Sequence, residues 1–300
     1  MHPDQINVTQ DMVRELVDEQ FPQWASLPIR TVRGPGTVNA LFRLGEDLGV
    51  RLPLRHTDPT SMRIEIEREV AAARVLLGKT PFPTPEPIAI GDPGAGYPLP
   101  WSIQTWLPGT TAEHEDPGGS VHFARDLATF IRGVRAISTG GHSFSGSGRG
   151  GDLSSHDAWM ETCFQESAEL LEVAILRRMW KHYRALPPSP SADVTSHGDL
   201  TPGNVLVARG RLVGVLDVGG MGPADPSLEL VGAWHLLDDG PRQIFRDALG
   251  CDELQWERGK AWAFEQSMGA VWYYRDSNPG LSAMGRRTLE RLAGADVSSP

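Results

Sequence analysis

Residues 196–220 read SHGDLTPGNVLVARGRLVGVLDVGG, and the spacing inside this stretch decides the fold. Asp199 and Asn204 stand five residues apart on a loop punctuated by Pro202 and Gly203. The apolar runs 205–208 and 211–216 flank Arg209-Gly210 and alternate in hydrophobicity, which is a hairpin signature. Asp217 closes the second run, and a hairpin folds it back towards Asn204. Three short oxygen-bearing side chains are thereby expected at one place.

Phosphoryl transfer needs such a set. A carboxylate accepts the proton of an attacking hydroxyl, while an amide oxygen and a second carboxylate hold Mg²⁺ on nucleotide phosphates, because hard cations prefer oxygen ligands. The pattern resembles the kinase catalytic loop, an Asp with an Asn five residues on, followed by a metal-binding Asp before a Gly. Here the loop begins His197-Gly198-Asp199 and the second motif is Asp217-Val218-Gly219. Asp199 is therefore the candidate base, and Asn204 and Asp217 are the candidate Mg²⁺ ligands.

Outward from this stretch the chain changes character once. Residues 7–21 have helical periodicity, residues 30–56 read as short strands with turns, and residues 61–77 read as a strong helix. A proline-rich run at 81–87 ends that helix, and residues 102–107 form a compact apolar strand. Helical patterns follow at 121–137, at 158–186 as one long helix, and from 227 onward. Residues 138–155, rich in Gly and Ser with few apolar anchors, are expected to be a mobile surface loop. Strands first and helices later predict an α+β fold with a small β-rich N-lobe over 1–107 and a larger helical C-lobe over 108–300.

The run HGDLTPGNVLV followed by GVLDVGGMGPADPSLEL resembles the aminoglycoside phosphotransferase family, antibiotic kinases with a protein-kinase-like bilobal fold. The resemblance extends from about residue 30 to about residue 280 and is most specific in the catalytic stretch. It implies that Asp199 is the base, that Asn204 and Asp217 are metal ligands, and that His197 buttresses the loop. It places residues 36–40, with Gly36, Thr37 and Asn39, in a phosphate-covering loop, which without the downstream motif would read as an ordinary turn. It places the backbone of Trp106 and Leu107 at a hinge against the purine ring. It puts Arg51 where many relatives carry a strand lysine, and Glu69, otherwise a solvated helix charge, as its partner. Arginine binds phosphate and carboxylate bidentately, so the role survives with altered geometry.

The resemblance implies a γ-phosphoryl transfer from ATP or GTP to a hydroxyl, with Mg²⁺ as cofactor. An aminoglycoside is one acceptor. A macrolide, a sugar or a choline-like alcohol keeps the same chemistry, and a catalytically silent nucleotide-binding module is the reading from another class. The chain carries a net charge of −10, with −3 over residues 1–107 and −7 over 108–300. Such a surface disfavours nucleic acid and suits a cationic small molecule. No apolar run approaches the ~18 residues of a membrane span. The N-terminal stretch lacks a signal peptide's apolar core, and two separated cysteines, Cys163 and Cys251, support neither a disulfide framework nor a thiolate metal site. A cytoplasmic monomer or homodimer is the resulting expectation. Trp234, Trp262 and Trp272 are expected in the core, with an acceptor-cleft lining as the alternative, and Asp238, Asp239 and Glu265 either at an acceptor cleft or on the surface.

Overall fold

The computed structural model describes residues 5–32, 38–146 and 148–297. The chain divides into two compact units, one of Met1–Leu77 with Pro83–Pro108 and one of Gly78–Phe82 with Gly109–Pro300.

The first unit opens with helix α1 (Gln10–Gln20), whose N-cap Thr9 accepts the N–H of Met12 through its side chain. Five antiparallel strands follow: β1 (Ile29–Val32), β2 (Asn39–Leu44), β3 (Leu48–Pro53), then, beyond helix α2 (Pro59–Leu76), β4 (Pro87–Gly91) and β5 (Trp101–Thr105). Their order in the sheet is β1-β2-β3-β5-β4. Asp58 caps α2 by accepting the Ser61 N–H at 2.8 Å, and Pro59 occupies the first turn, where its missing donor costs nothing. One sheet face buries Phe42, Leu44, Val50, Leu52, Trp101 and Ile103 with Val13, Leu16 and Val17 of α1. Gly91 is required there, because a Cβ at that position would stand 2.1 Å from the indole of Trp101. The apolar run that reads as a strand to residue 107 leaves the sheet at Thr105: the N–H of Trp106 turns to the carbonyl of Asp47, at 2.7 Å.

The second unit holds β6 (Thr110–Thr111), α3 (Val121–Arg135), α4 (Asp157–Glu166), α5 (Val173–Tyr183), β7 (Val194–Ser196), β8 (Val205–Ala208), β9 (Arg211–Val215), β10 (Gly222–Ala224), α6 (Val231–Leu236), α7 (Asp239–Leu249), α8 (Glu253–Tyr273) and α9 (Pro279–Val297). The single helix expected over 158–186 is two helices. The break is held from a distance: Arg286 on α9 donates to the carbonyl of Leu170 at 3.0 Å, a contact that local propensity does not register. Helix α8 is buried through most of its length, and Trp234 and Trp262 lie fully inside, whereas Trp272 is partly exposed. Among the described residues no helix is long and apolar enough to cross a membrane.

Candidate active site

Strand β7 ends at Ser196, and residues 197–201 form a loop that closes in a short 3-10 turn, Pro202–Asn204, before β8. Arg209 and Gly210, at φ +55° and +67°, make the two-residue turn between β8 and β9, whose mirror-image twist matches that of a hairpin. The register pairs Val205 with Val215, and the N–H of Leu216 reaches the carbonyl of Asn204 at 2.8 Å. Asp217, the next residue, is thus brought back beside Asn204. Its backbone is left-handed, φ 54° and ψ 53°, in a side-chain-bearing residue. Such conformations cost of order 1 kcal/mol and persist where the surrounding structure fixes them.

Asp199 is held on both carboxylate oxygens. Its Oδ2 accepts from Nδ2 of Asn204 at 2.9 Å, and its Oδ1 accepts from Nε2 of Gln266 on α8 at 2.7 Å and from Arg149 at 3.4 Å. Nδ2 of Asn204 also donates to the Asp199 carbonyl at 3.0 Å, so Oδ1 of Asn204 is the atom of this amide that could hold a cation. His197 ties the two halves together: its Nε2 donates to the carbonyl of Leu216 at 2.9 Å, and its Nδ1 accepts the N–H of Asp199 at 3.3 Å.

Beneath the loop lies Glu229, fully buried. Its Oε1 accepts from the Ser196 hydroxyl, from the N–H of His197 and from that of Gly198, the last at 3.2 Å. A buried carboxylate without such donors would be prohibitively costly. Here it clamps the backbone that presents Asp199. Arg135 balances its charge; burial lowers that guanidinium's affinity for its proton, and Glu229 opposes the drop.

A cavity of about 380 Å³ opens on Asp199, lined also by Phe144, Ser145, Arg149, Pro223 and Leu228. The Gly- and Ser-rich segment supplies three of these and is more anchored than its composition suggests. The N–H of Phe144 donates to Asp193 at 2.7 Å, and the carbonyl of Gly150 accepts from Asp225 at 2.8 Å. Buried His156, in a 3-10 turn at Leu153–His156, contacts the carbonyl of Gly148 at 3.2 Å and Glu265 at 2.9 Å. The hydrogen bond to Glu265 raises the proton affinity of His156 above the ordinary histidine value.

In the first unit Arg51 on β3 stands 3.1 Å from the Glu69 carboxylate on α2. Asn39 heads β2 opposite Pro53. Gly36 and Thr37 lie outside the described residues. Trp106 has its backbone N–H engaged with Asp47 and Arg43 stacked over its ring at 5.2 Å, so that N–H is not available to a nucleobase. Glu265 is buried against His156, Asp238 pairs with Arg291 at 2.8 Å, and Asp239 pairs with Arg242 at 3.0 Å. Sequence reading missed Gln266, Arg149 and Glu229. Of these only Glu229 carries a local signal, an acid inside the apolar run Leu228–Val231.

A family described as the phosphotransferase enzyme family matches residues 31–262 of this chain. Aminoglycoside 3'-phosphotransferases of Escherichia coli and Salmonella typhimurium are each 28% identical over 147 residues, 46% of this chain and 53% of theirs. The chain thus spans about half the length of the curated relatives it matches. The GDP complex of wild-type aminoglycoside 2'-phosphotransferase-IIIa superposes with a TM-score of 0.73 at 17% identity, covering 96% of this chain and 100% of that one. The apoenzyme of macrolide 2'-phosphotransferase MphH from Brachybacterium faecium gives 0.63 at 17% identity, covering 93% and 98%. These structural likenesses establish a shared fold.

Proposed function

This chain belongs to the phosphotransferase enzyme family, and from that premise we propose that it transfers the γ-phosphoryl group of ATP or GTP to a hydroxyl of a small molecule. The observation that carries the reading is the Asp199 carboxylate, open to a cavity yet fixed by amide donors on both oxygens, at 2.7 and 2.9 Å. An acceptor hydroxyl entering that cavity gives its proton to Asp199 as its oxygen attacks phosphorus and the nucleoside diphosphate departs. Arg51, oriented by Glu69, takes the nucleotide phosphates. Oδ1 of Asn204 and the Asp217 carboxylate would hold Mg²⁺, which when bound neutralises charge on the phosphate oxygens. Leu107 and the carbonyl of Trp106 serve the nucleobase, and Asn39, with Gly36 and Thr37, covers the phosphates. The GDP bound in the solved relative keeps guanine beside adenine as the donor base. The enzyme works in the cytoplasm, where its two free thiols stay reduced.

An aminoglycoside is the first reading of the acceptor, supported by the names of the relatives and by the net −7 over residues 108–300. One observation favours a second: Arg149 places a cation beside the base. A polycationic acceptor must displace or outweigh it, whereas a neutral alcohol or one bearing an acidic group need not. The test is mass spectrometry of a pooled library of aminoglycosides, macrolides and metabolite alcohols after incubation with enzyme, Mg²⁺ and each nucleotide. A product heavier by one phosphoryl group, formed only with Mg²⁺, is expected. Absence of any product and of nucleotide turnover would overturn the kinase reading. A product from a neutral acceptor alone would select the second.

A further inference from the structure

We infer that Gln266 is a positioning residue for Asp199, and that His235 and Thr288 behind it fix which way its amide faces. The inference rests on the reading of Asp199 as base. The chain of contacts runs inward without a gap: Oδ1 of Asp199 to Nε2 of Gln266 at 2.7 Å, Oε1 of Gln266 to Nε2 of His235 at 3.1 Å, and Nδ1 of His235 to the Thr288 hydroxyl at 3.0 Å. Its members come from four places, the catalytic loop, α8, α6 and α9. His235 and Thr288 are buried, at 2% and 0% exposure.

The polarity of this chain has one solution. An ionised carboxylate only accepts, so Gln266 must present its NH₂ to Asp199. Its carbonyl oxygen then faces His235 and needs a donor, so the proton of His235 sits on Nε2. Nδ1 is left as an acceptor, and the Thr288 hydroxyl donates to it. Burial holds His235 neutral, with its pKa pushed down to about 4, which keeps this tautomer in place near neutral pH. A glutamine with solvent on its far side would turn freely about its last bond and spend part of its time with oxygen facing oxygen. Here the reversed amide would leave a buried N–H facing another N–H.

The consequence is orientation. Asn204 holds Oδ2 and Gln266 holds Oδ1, so the plane of the carboxylate is set from two sides. Among the described residues, the hydrogen bond to Oδ1 that remains without Gln266 is that of Arg149 at 3.4 Å, a longer bond from a loop residue. The base stays present and its chemistry unchanged, but its lone pairs no longer point reliably at the acceptor hydroxyl. A misplacement of about 1 Å at a reacting group costs on the order of 10²-fold in rate.

The experiment measures kcat and KM, for an acceptor found in the library screen, in Gln266→Leu, Thr288→Val, the double variant and Asp199→Ala. Gln266→Leu is expected to lower kcat about ten- to a hundredfold while leaving the nucleotide KM within about twofold. Thr288→Val, which replaces a hydroxyl by a methyl, is expected to lower kcat several-fold with KM again unchanged. In the Gln266→Leu background the Thr288→Val substitution should change nothing further, because the relay it serves is already cut. A merely structural role predicts otherwise: melting temperature and KM move together, and the two effects add. A kcat within about twofold of wild type in Gln266→Leu, or additive losses in the double variant, overturns the inference. If Gln266→Leu does not fold, Thr288→Val decides alone, by a kcat loss without a KM change or by none. Asp199→Ala separates the two levels. Activity surviving there sinks the base and this inference together, whereas an inactive Asp199→Ala beside an unimpaired Gln266→Leu sinks the positioning role only.

Discussion

Gly198 separates the buried histidine from the candidate base, and its φ of +78° explains why a glycine stands there. A Cβ would meet only Leu228, at 3.7 Å, so space is not the constraint; backbone conformation is. Gly198→Ala is expected to destabilise the chain by about 1–2 kcal/mol, read as a lower urea midpoint, and an unchanged midpoint would contradict the strain argument. Two histidines set opposite pH limits. His235 is buried neutral with a pKa of about 4, against about 6.5 when unfolded, so the unfolded chain binds the extra proton between those values. Stability should fall as pH drops through that window, by on the order of 3 kcal/mol from this residue. His156, raised by Glu265, contributes stability in full below about 6.5 and loses it as pH rises through its folded value. Melting curves across pH should therefore be shallower between about pH 4 and 6.5 in His235→Gln and shallower just above about pH 6.5 in His156→Gln; unchanged slopes in those windows would refute the assignments. Asp199, Asn204 and Asp217 were legible as a cluster because loop spacing and a hairpin bring short side chains together locally. Gln266 was not, since 67 residues separate it from Asp199 and helix packing alone joins them.

Among the elements, α8 carries the most connections. Arg258 donates from Nε to Asp225 at 2.6 Å and reaches the carbonyls of Pro187 at 2.9 Å and Gly151 at 3.4 Å. Two turns on, Glu265 holds His156 and Gln266 holds Asp199. One helix thus fixes the loop that carries Arg149 and the candidate base that Arg149 faces. Arg258 and Asp225 are both nearly inaccessible, at 4% and 5%, so removing one leaves a buried charge uncompensated. Arg258→Met is expected to cost about 3–5 kcal/mol in chemical denaturation, and a loss below about 1 kcal/mol would show that the pair adds little. Helices with a clear apolar stripe and a capping residue, such as α1 and α2, were readable to within a few residues. The break between α4 and α5 was not, because the carbonyl it exposes is met by Arg286 from α9, a partner no local window contains.

For the whole molecule, the order of elements, strands then helices, foretold the α+β class, because a sheet and a helical layer each need a contiguous run of their own periodicity. Acceptor identity was not foretold: the cavity beside Asp199 is lined in part by Arg149 and Phe144, which arrive on an irregular segment with no periodicity to read. The net −7 over residues 108–300 sets up a test of steering. If the acceptor is cationic, kcat/KM should fall as salt rises, since exposed charges are screened over about 10 Å at 0.1 M. Nucleotide KM should respond less, and a salt-independent kcat/KM would remove the steering argument. Asp199 is proposed to accept the proton of an attacking hydroxyl. Single-turnover phosphoryl transfer in Asp199→Ala, with nucleotide affinity measured in parallel by calorimetry, addresses it most directly. The expected rate is at least about 10²-fold below wild type with nucleotide binding intact; a rate retained to more than about a tenth would rule out Asp199 as the base.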